Sequence, residues 1–178
     1  MPTPHLIIIT GRPGSGKTTL AKALSAAFHM PLISRDQIKE GYIHTQGKPH
    51  AALPKETNGT VNEIFFSTLT YLAESGVSVI AEAAFQHKVW SHMLPNFMEK
   101  TQLSIIICKI DEQDALGRFT DRKRDDSLRE YFHGDADDTS PPPYEEPHLD
   151  VPTFHVDTLG EYKPSIQELR KAICKTTP

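Results

Sequence analysis

Lys17 and Thr18 close the run Gly11-Arg12-Pro13-Gly14-Ser15-Gly16-Lys17-Thr18, which satisfies G-x-x-x-x-G-K-[ST] at each fixed position. That spacing has a chemical meaning. Glycines let successive backbone N–H groups turn inward as an anion nest, which side chains would obstruct. A helix starting near Lys17 adds unpaired N–H donors and the positive end of its dipole. In such a loop the lysine ammonium bridges the β- and γ-phosphates of a nucleoside triphosphate, and the Thr18 hydroxyl ligates Mg²⁺. Gly11, Pro13, Gly14, Ser15, Gly16, Lys17, Thr18 and Thr19 are therefore the expected nucleotide-binding residues. An ordinary glycine-rich turn is the competing reading, and composition alone gives this match in under about one chain in a hundred of this size. The flanks weigh against it too: an apolar run at residues 6–10 leads in, and a helix-compatible stretch at 17–28 leads out.

What such a loop does with its phosphates depends on the residues at the other strand ends. Asp36 follows a short apolar run at residues 31–33, and a carboxylate near the γ-phosphate can take the proton of an attacking hydroxyl. Asp also favours helix N-caps, a role compatible with the first. Glu82 ends the apolar run 77–81, where burial is costly for an acid without a purpose. It suits either Mg²⁺ through water or a substrate hydroxyl, and spacing does not choose between them. Arg118, Arg122, Lys123, Arg124 and Arg129 form the basic cluster. Guanidinium forks match the charge spread over a transferring phosphoryl group, and an arm carrying them can close over it. The interleaved Asp121, Asp125, Asp126 and Glu130 would equally suit a solvated helix face. His133 and Asp135 follow, placed to touch nucleotide or substrate. None of the nine histidines shows a compact metal-ligand spacing.

The elements that must position these residues read as alternating strands and helices. Strands are expected at residues 6–10, 31–33, 77–81, 103–110 and 153–158, with the fourth nearly continuous in apolar residues as a central parallel strand should be. Helices are expected at 17–28, 37–42, after a capping box at Thr60–Glu63, in two pieces around Pro95, from Asp111 or Asp114 onward, and after a second capping box at Ser165–Glu168. Residues 44–58 read as a mobile loop over the substrate, and 134–150 as an acidic, proline-bearing loop. The alternation implies a five-stranded parallel sheet with helices on both faces, an α/β three-layer sandwich. One domain over 1–178 is expected, with a lid around 118–135. Phe65, Phe66 and Trp90 are expected in the core rather than as base-stacking platforms.

The 178 residues suffice for a complete core, and a net charge of −4 argues against a dedicated nucleic-acid binder. Cys108 and Cys174 read as reduced packing residues. No stretch approaches the ~18 apolar residues of a membrane span. The first apolar run is too short for a signal peptide, so a cytoplasmic protein is expected. Oligomeric state is not legible.

The glycine-rich loop, the Ser34-Arg35-Asp36 segment and the arginines after the fourth strand resemble the small P-loop kinases. That group includes zeta toxins, chloramphenicol phosphotransferase, gluconate kinase and the 5′-kinase domain of polynucleotide kinase. The resemblance extends from Leu6 to the last helix. It implies a P-loop NTPase fold, ATP and Mg²⁺ as cofactors, and transfer of the γ-phosphoryl group to a hydroxyl of a small molecule. It further implies that Asp36 activates the acceptor hydroxyl, that Arg118 lies by the adenine or phosphates, and that Arg122 or Arg124 reaches the transferring group. Glu82-Ala83-Ala84-Phe85 departs from the group's more usual Asp at the third strand end. A polynucleotide 5′-hydroxyl kinase and a nucleotide-binding module or ATPase are the alternatives. A GTP switch is disfavoured, since no Asn-Lys-x-Asp occurs.

Overall fold

The computed structural model describes residues 2–134 and 144–175, the side chains of Arg122, Lys123 and Lys175 excepted. Five strands form one sheet: β1 (His5–Gly11), β2 (Leu32–Ser34), β3 (Val79–Glu82), β4 (Gln102–Lys109) and β5 (Thr153–Asp157). Their order is β2-β3-β1-β4-β5, and every pairing is parallel. Alternate residues of β1 explain its unbroken apolar run, because both faces of a parallel sheet are covered. Leu6 and Ile8 enter one core with Val79, Ala81, Leu103 and Ile105. Ile7 and Ile9 enter the other with Ile80, Ile106 and Val156. The expected fold class is thus observed.

Helices α1 (Lys17–Phe28) and α8 (Ile166–Lys175) cover the second face through Leu20, Leu24, Leu169 and Ile173. Helices α3 (Thr57–Glu74), α4 (His87–Met93) and α5 (Pro95–Met98) cover the first. Pro95 sits in the first turn of α5 and divides it from α4. The capping box at the last helix forms as expected: Glu168 accepts from Ser165 N at 2.8 Å, and Glu168 N donates back to Ser165 Oγ at 3.3 Å.

Four expectations are corrected. The second helix, α2 (Arg35–Gln46), is twice the length expected, because its end is set by Gly47 in the left-handed region (φ 63°) rather than by the polar composition after Tyr42. Of the loop expected at 44–58, only a stretch with a 3-10 turn at His50–Ala52 lies between α2 and α3. Thr60 is not a cap: it lies inside α3, and its hydroxyl donates back to the Glu56 carbonyl at 3.5 Å. Cys174 is exposed rather than packed, while Cys108 is buried. After β4 come α6 (Glu112–Asp125) and α7 (Arg129–His133). Arg122's side chain, Asp135 and residues 135–143 of the acidic loop lie outside the described residues. No helix among the described residues is long and apolar enough to cross a membrane.

Trp90 joins the first core to the end of β1. It is fully buried, meets Phe85 edge-on with ring centres 5.2 Å apart, and donates Nε1–H to Thr10 Oγ1 at 3.1 Å. Phe65 and Phe66 are buried in the same cluster, as expected. Trp90→Ala removes that volume beneath the nucleotide loop. Urea denaturation followed by circular dichroism should show a loss of about 3–5 kcal/mol; a loss below about 1 kcal/mol would contradict this packing.

Candidate functional site

The turn from β1 into α1 carries the glycine-rich loop. Gly16 is the N-cap of α1 with φ 78°, no side chain caps the helix, and its first turn holds no acid. The first amides of α1 therefore stay available to an anion. Gly14 has φ 82°, and a Cβ there would lie 2.2 Å from the Ala115 carbonyl oxygen. The sequence suggested that a side chain would obstruct phosphate; at Gly14 the obstruction is α6 packed against the loop. Gly11 and Ser15 are buried in the loop and Pro13 is half-buried. Ser15 N donates to Arg12 O at 3.1 Å, and Lys17 Nζ donates to the same carbonyl at 2.9 Å. The lysine thus lies over its own loop. Thr158, just past β5, donates its hydroxyl to Ser15 O at 2.7 Å.

A cleft of about 820 Å³ opens over this loop. Gly14, Gly16, Lys17, Thr18, Thr19 and Lys22 form one wall, Ser34, Asp36, Gln37 and Glu40 another. Arg118, Asp121 and Asp125 of α6 and Arg129 and His133 of α7 form a third, with Thr158, Gly160 and Tyr162 beside them. The structure therefore places Asp36 and Arg118 in one cleft with Lys17 and Thr18. Asp36 is 53% exposed, with Arg35 Nη1 at 3.4 Å. Arg118 Nη2 donates to Thr158 O at 3.3 Å, which holds its guanidinium beside Gly16.

Glu82 and Arg124 stand outside this lining. Glu82 is buried and accepts from Ser34 Oγ at 2.8 Å, directly behind α2. Arg124, expected at the transferring group, is 71% exposed and pairs with Asp121 at 3.2 Å and Asp125 at 3.0 Å. Its acidic neighbours make it part of a solvated face.

Sequence reasoning did not single out Lys22, Gln37, Glu40, Thr158 or Tyr162 as site residues, whereas Arg129, in the basic cluster, and His133, expected at nucleotide or substrate, do line the cleft. Glu40 carried a usable signal, being four residues after Asp36 on what proves to be one helix face. Thr158 carried another, at the carboxyl end of an edge strand where open α/β sheets place ligands.

Over residues 6–137 the sequence matches the family described as an AAA domain. Among solved structures, a candidate kinase of Chloroflexus aurantiacus j-10-fl superimposes with a TM-score of 0.79 at 24% identity, covering 100% of both chains. A sugar kinase of Janibacter sp. HTCC2649 gives 0.64 at 16% identity, over 94% of this chain and 93% of its own. The APS kinase CysC of Mycobacterium tuberculosis, solved with AMPPNP and APS, gives 0.63 at 14% identity over 98% of each chain. No curated protein matches the sequence. At such identities the likeness establishes the fold, that of the small P-loop kinases.

Beneath the loop, Cys108 pairs in register with Gly11. Burial pushes its thiol up to about 12, against a smaller opposing pull from the Lys17 ammonium, and the Glu82 carboxylate adds to the rise. With its pKa that high, the thiolate is scarce at any pH below about 10, and the thiolate is the reactive form. At pH 8 a thiol reagent should therefore label one equivalent in the native protein, at Cys174, and two after unfolding in urea. Two equivalents labelled in the native protein would show that the strand end beneath the loop is open.

Proposed function

The chain belongs to the AAA domain family, and on that premise we propose that it is a phosphotransferase moving the γ-phosphoryl group of ATP to a hydroxyl of a small molecule. The observation that carries this reading is the presence of a carboxylate, Asp36, in the cleft that the phosphate loop opens into. A phosphate loop alone suits binding. A carboxylate placed across from it supplies what an incoming hydroxyl needs, an acceptor for its proton.

The loop fits a polyphosphate: bare amides at the start of α1, no acid in its first turn, and no room for a side chain at Gly14. The Thr18 hydroxyl in the cleft is a hard oxygen donor of the kind Mg²⁺ prefers, and the Glu82 carboxylate, buried behind Ser34 outside the lining, would serve only through water. When bound, Mg²⁺ neutralises charge on the phosphoryl oxygens. Lys17, released from the Arg12 carbonyl, binds the β- and γ-phosphates, and Arg118 holds the nucleotide beside Gly16. Asp36 accepts the proton as the acceptor oxygen forms its bond to the γ-phosphorus. The bond between that phosphorus and the β-bridging oxygen breaks, leaving ADP and a phosphate ester. Glu82, hydrogen-bonded to Ser34, also fixes the start of α2 and hence Asp36. Arg129 lines the same cleft, which Arg124 does not, and suits the transferring charge.

The test is acceptor-dependent ADP release with Mg-ATP over a panel of hydroxyl compounds, with Lys17→Ala as the blank. ADP release that needs no acceptor would instead favour an ATPase. In Asp36→Asn, turnover should fall at least about 100-fold, while the Kd of a non-hydrolysable ATP analogue changes less than about twofold. Unchanged turnover would remove Asp36 as the base.

A further inference from the structure

Glu40 lies one helical turn after Asp36 and lines the same cleft, with its side chain 46% exposed. Residues four apart on a helix are neighbours on one face, so the two side chains can address different polar groups of one molecule in the cleft. The Glu40 carboxylate is also held in place. His133 Nε2 meets Glu40 Oε1 at 3.0 Å and is only 10% exposed. A carboxylate only accepts, so the ring carries its proton on Nε2.

His133 is itself fixed from two further sides. The buried Lys39 ammonium donates to the His133 carbonyl at 3.2 Å. The next residue, Gly134, has φ 71° and packs on His50 so closely that a Cβ would lie 2.7 Å from Nδ1. Helix α2 and the 3-10 turn thus hold the end of α7, whose His133 holds one carboxylate that the reaction as proposed does not use. A carboxylate offers about four lone-pair sites, and His133 takes one of Glu40's. Nearly half of the side chain is exposed in the cleft, within reach of a bound molecule.

From this arrangement we infer that Glu40 is a second acceptor-binding residue, positioned by His133, and that the acceptor is a polyol, uncharged or amino-bearing. The inference rests on the phosphotransferase reading and names its substrate class. Asp36 takes the reacting hydroxyl, and Glu40 accepts a hydrogen bond from a second O–H or N–H of the same molecule. An anionic acceptor, such as a sugar acid or a sulfate ester, would set its charge against two carboxylates, and like-charge juxtaposition is costly. The cations of the cleft do not reverse this. Lys17 and Lys22 belong to the phosphate wall, Arg118 is held beside Gly16, and Arg129 is the residue assigned to the transferring phosphoryl group.

The experiment compares kcat/KM for neutral polyols, amino sugars and sugar acids of matched carbon number with Mg-ATP. The wild-type protein should prefer the neutral or amino compound over the matching acid by at least about tenfold. Glu40→Gln should raise KM for the best polyol about tenfold, leave kcat within about threefold, and narrow the margin against the acid. His133→Ala should reproduce part of that KM rise, and His133→Gln, which can still donate, should restore it. Preference of the wild-type protein for the sugar acid overturns the inference and leaves the phosphotransferase intact, and this arm stands even where a variant does not fold. An unchanged KM in a folded Glu40→Gln also overturns it. Acceptor-independent ADP release with all three classes overturns the phosphotransferase reading, and the inference with it.

Discussion

Bare backbone amides have to be presented at one end of a parallel sheet, and the rest of the molecule follows from that constraint. A loop of positive-φ glycines has little intrinsic stiffness, so its shape is imposed from outside. The neighbours do this by hydrogen bonding and contact. Thr158 grips the Ser15 carbonyl from the end of β5, and α6 brings the Ala115 carbonyl against Gly14. On the other side, Thr10 bonds the indole of Trp90, the Phe85 carbonyl and the Tyr144 hydroxyl. The last strand residues of β1 are thereby tied to elements more than 70 positions away in sequence.

The same sheet edge sets the electrostatics. Glu82 ends β3 and Cys108 stands one residue before the end of β4, on either side of β1, and both are buried. The thiol answers burial by keeping its proton, and the carboxylate by accepting the Ser34 hydroxyl. That bond couples the end of β3 to the first turn of α2, so the buried acid and the exposed Asp36 sit on successive layers of one structure. Further along α2 the helix is fastened to α7 through Lys39 and Glu40. The wall facing the phosphate loop is accordingly held at both ends.

Much of this was legible in the sequence, for physical reasons that differ by element. The phosphate loop is a local device whose residues are contiguous, so spacing alone identifies it. Strands β1 and β4 are buried on both faces and read as apolar runs, broken in β4 only by Ser104. Helix α2 is another matter. Its stripe is short and polar, with Lys39 and Ile43 its only buried residues, and its end depends on the left-handed conformation of Gly47. Because the sequence pattern starts this helix at Gln37, it leaves Asp36 outside the helix that holds Glu40 and hides their shared face. Arg124 shows the opposite failure. Its charge suggested chemistry, while the aspartates beside it already offered the partners it takes. Tertiary grips such as Thr158 on Ser15 span 143 positions and leave no mark on local pattern.

The central claim is that polyphosphate and an alcohol meet in this one cleft. The most direct measurement is a ³¹P NMR time course of Mg-ATP with the wild-type protein and its best polyol acceptor. The expected result is conversion of the γ-phosphorus resonance into a phosphomonoester resonance, in step with ADP formation. Appearance of inorganic phosphate alone, at a rate indifferent to the polyol, would contradict it.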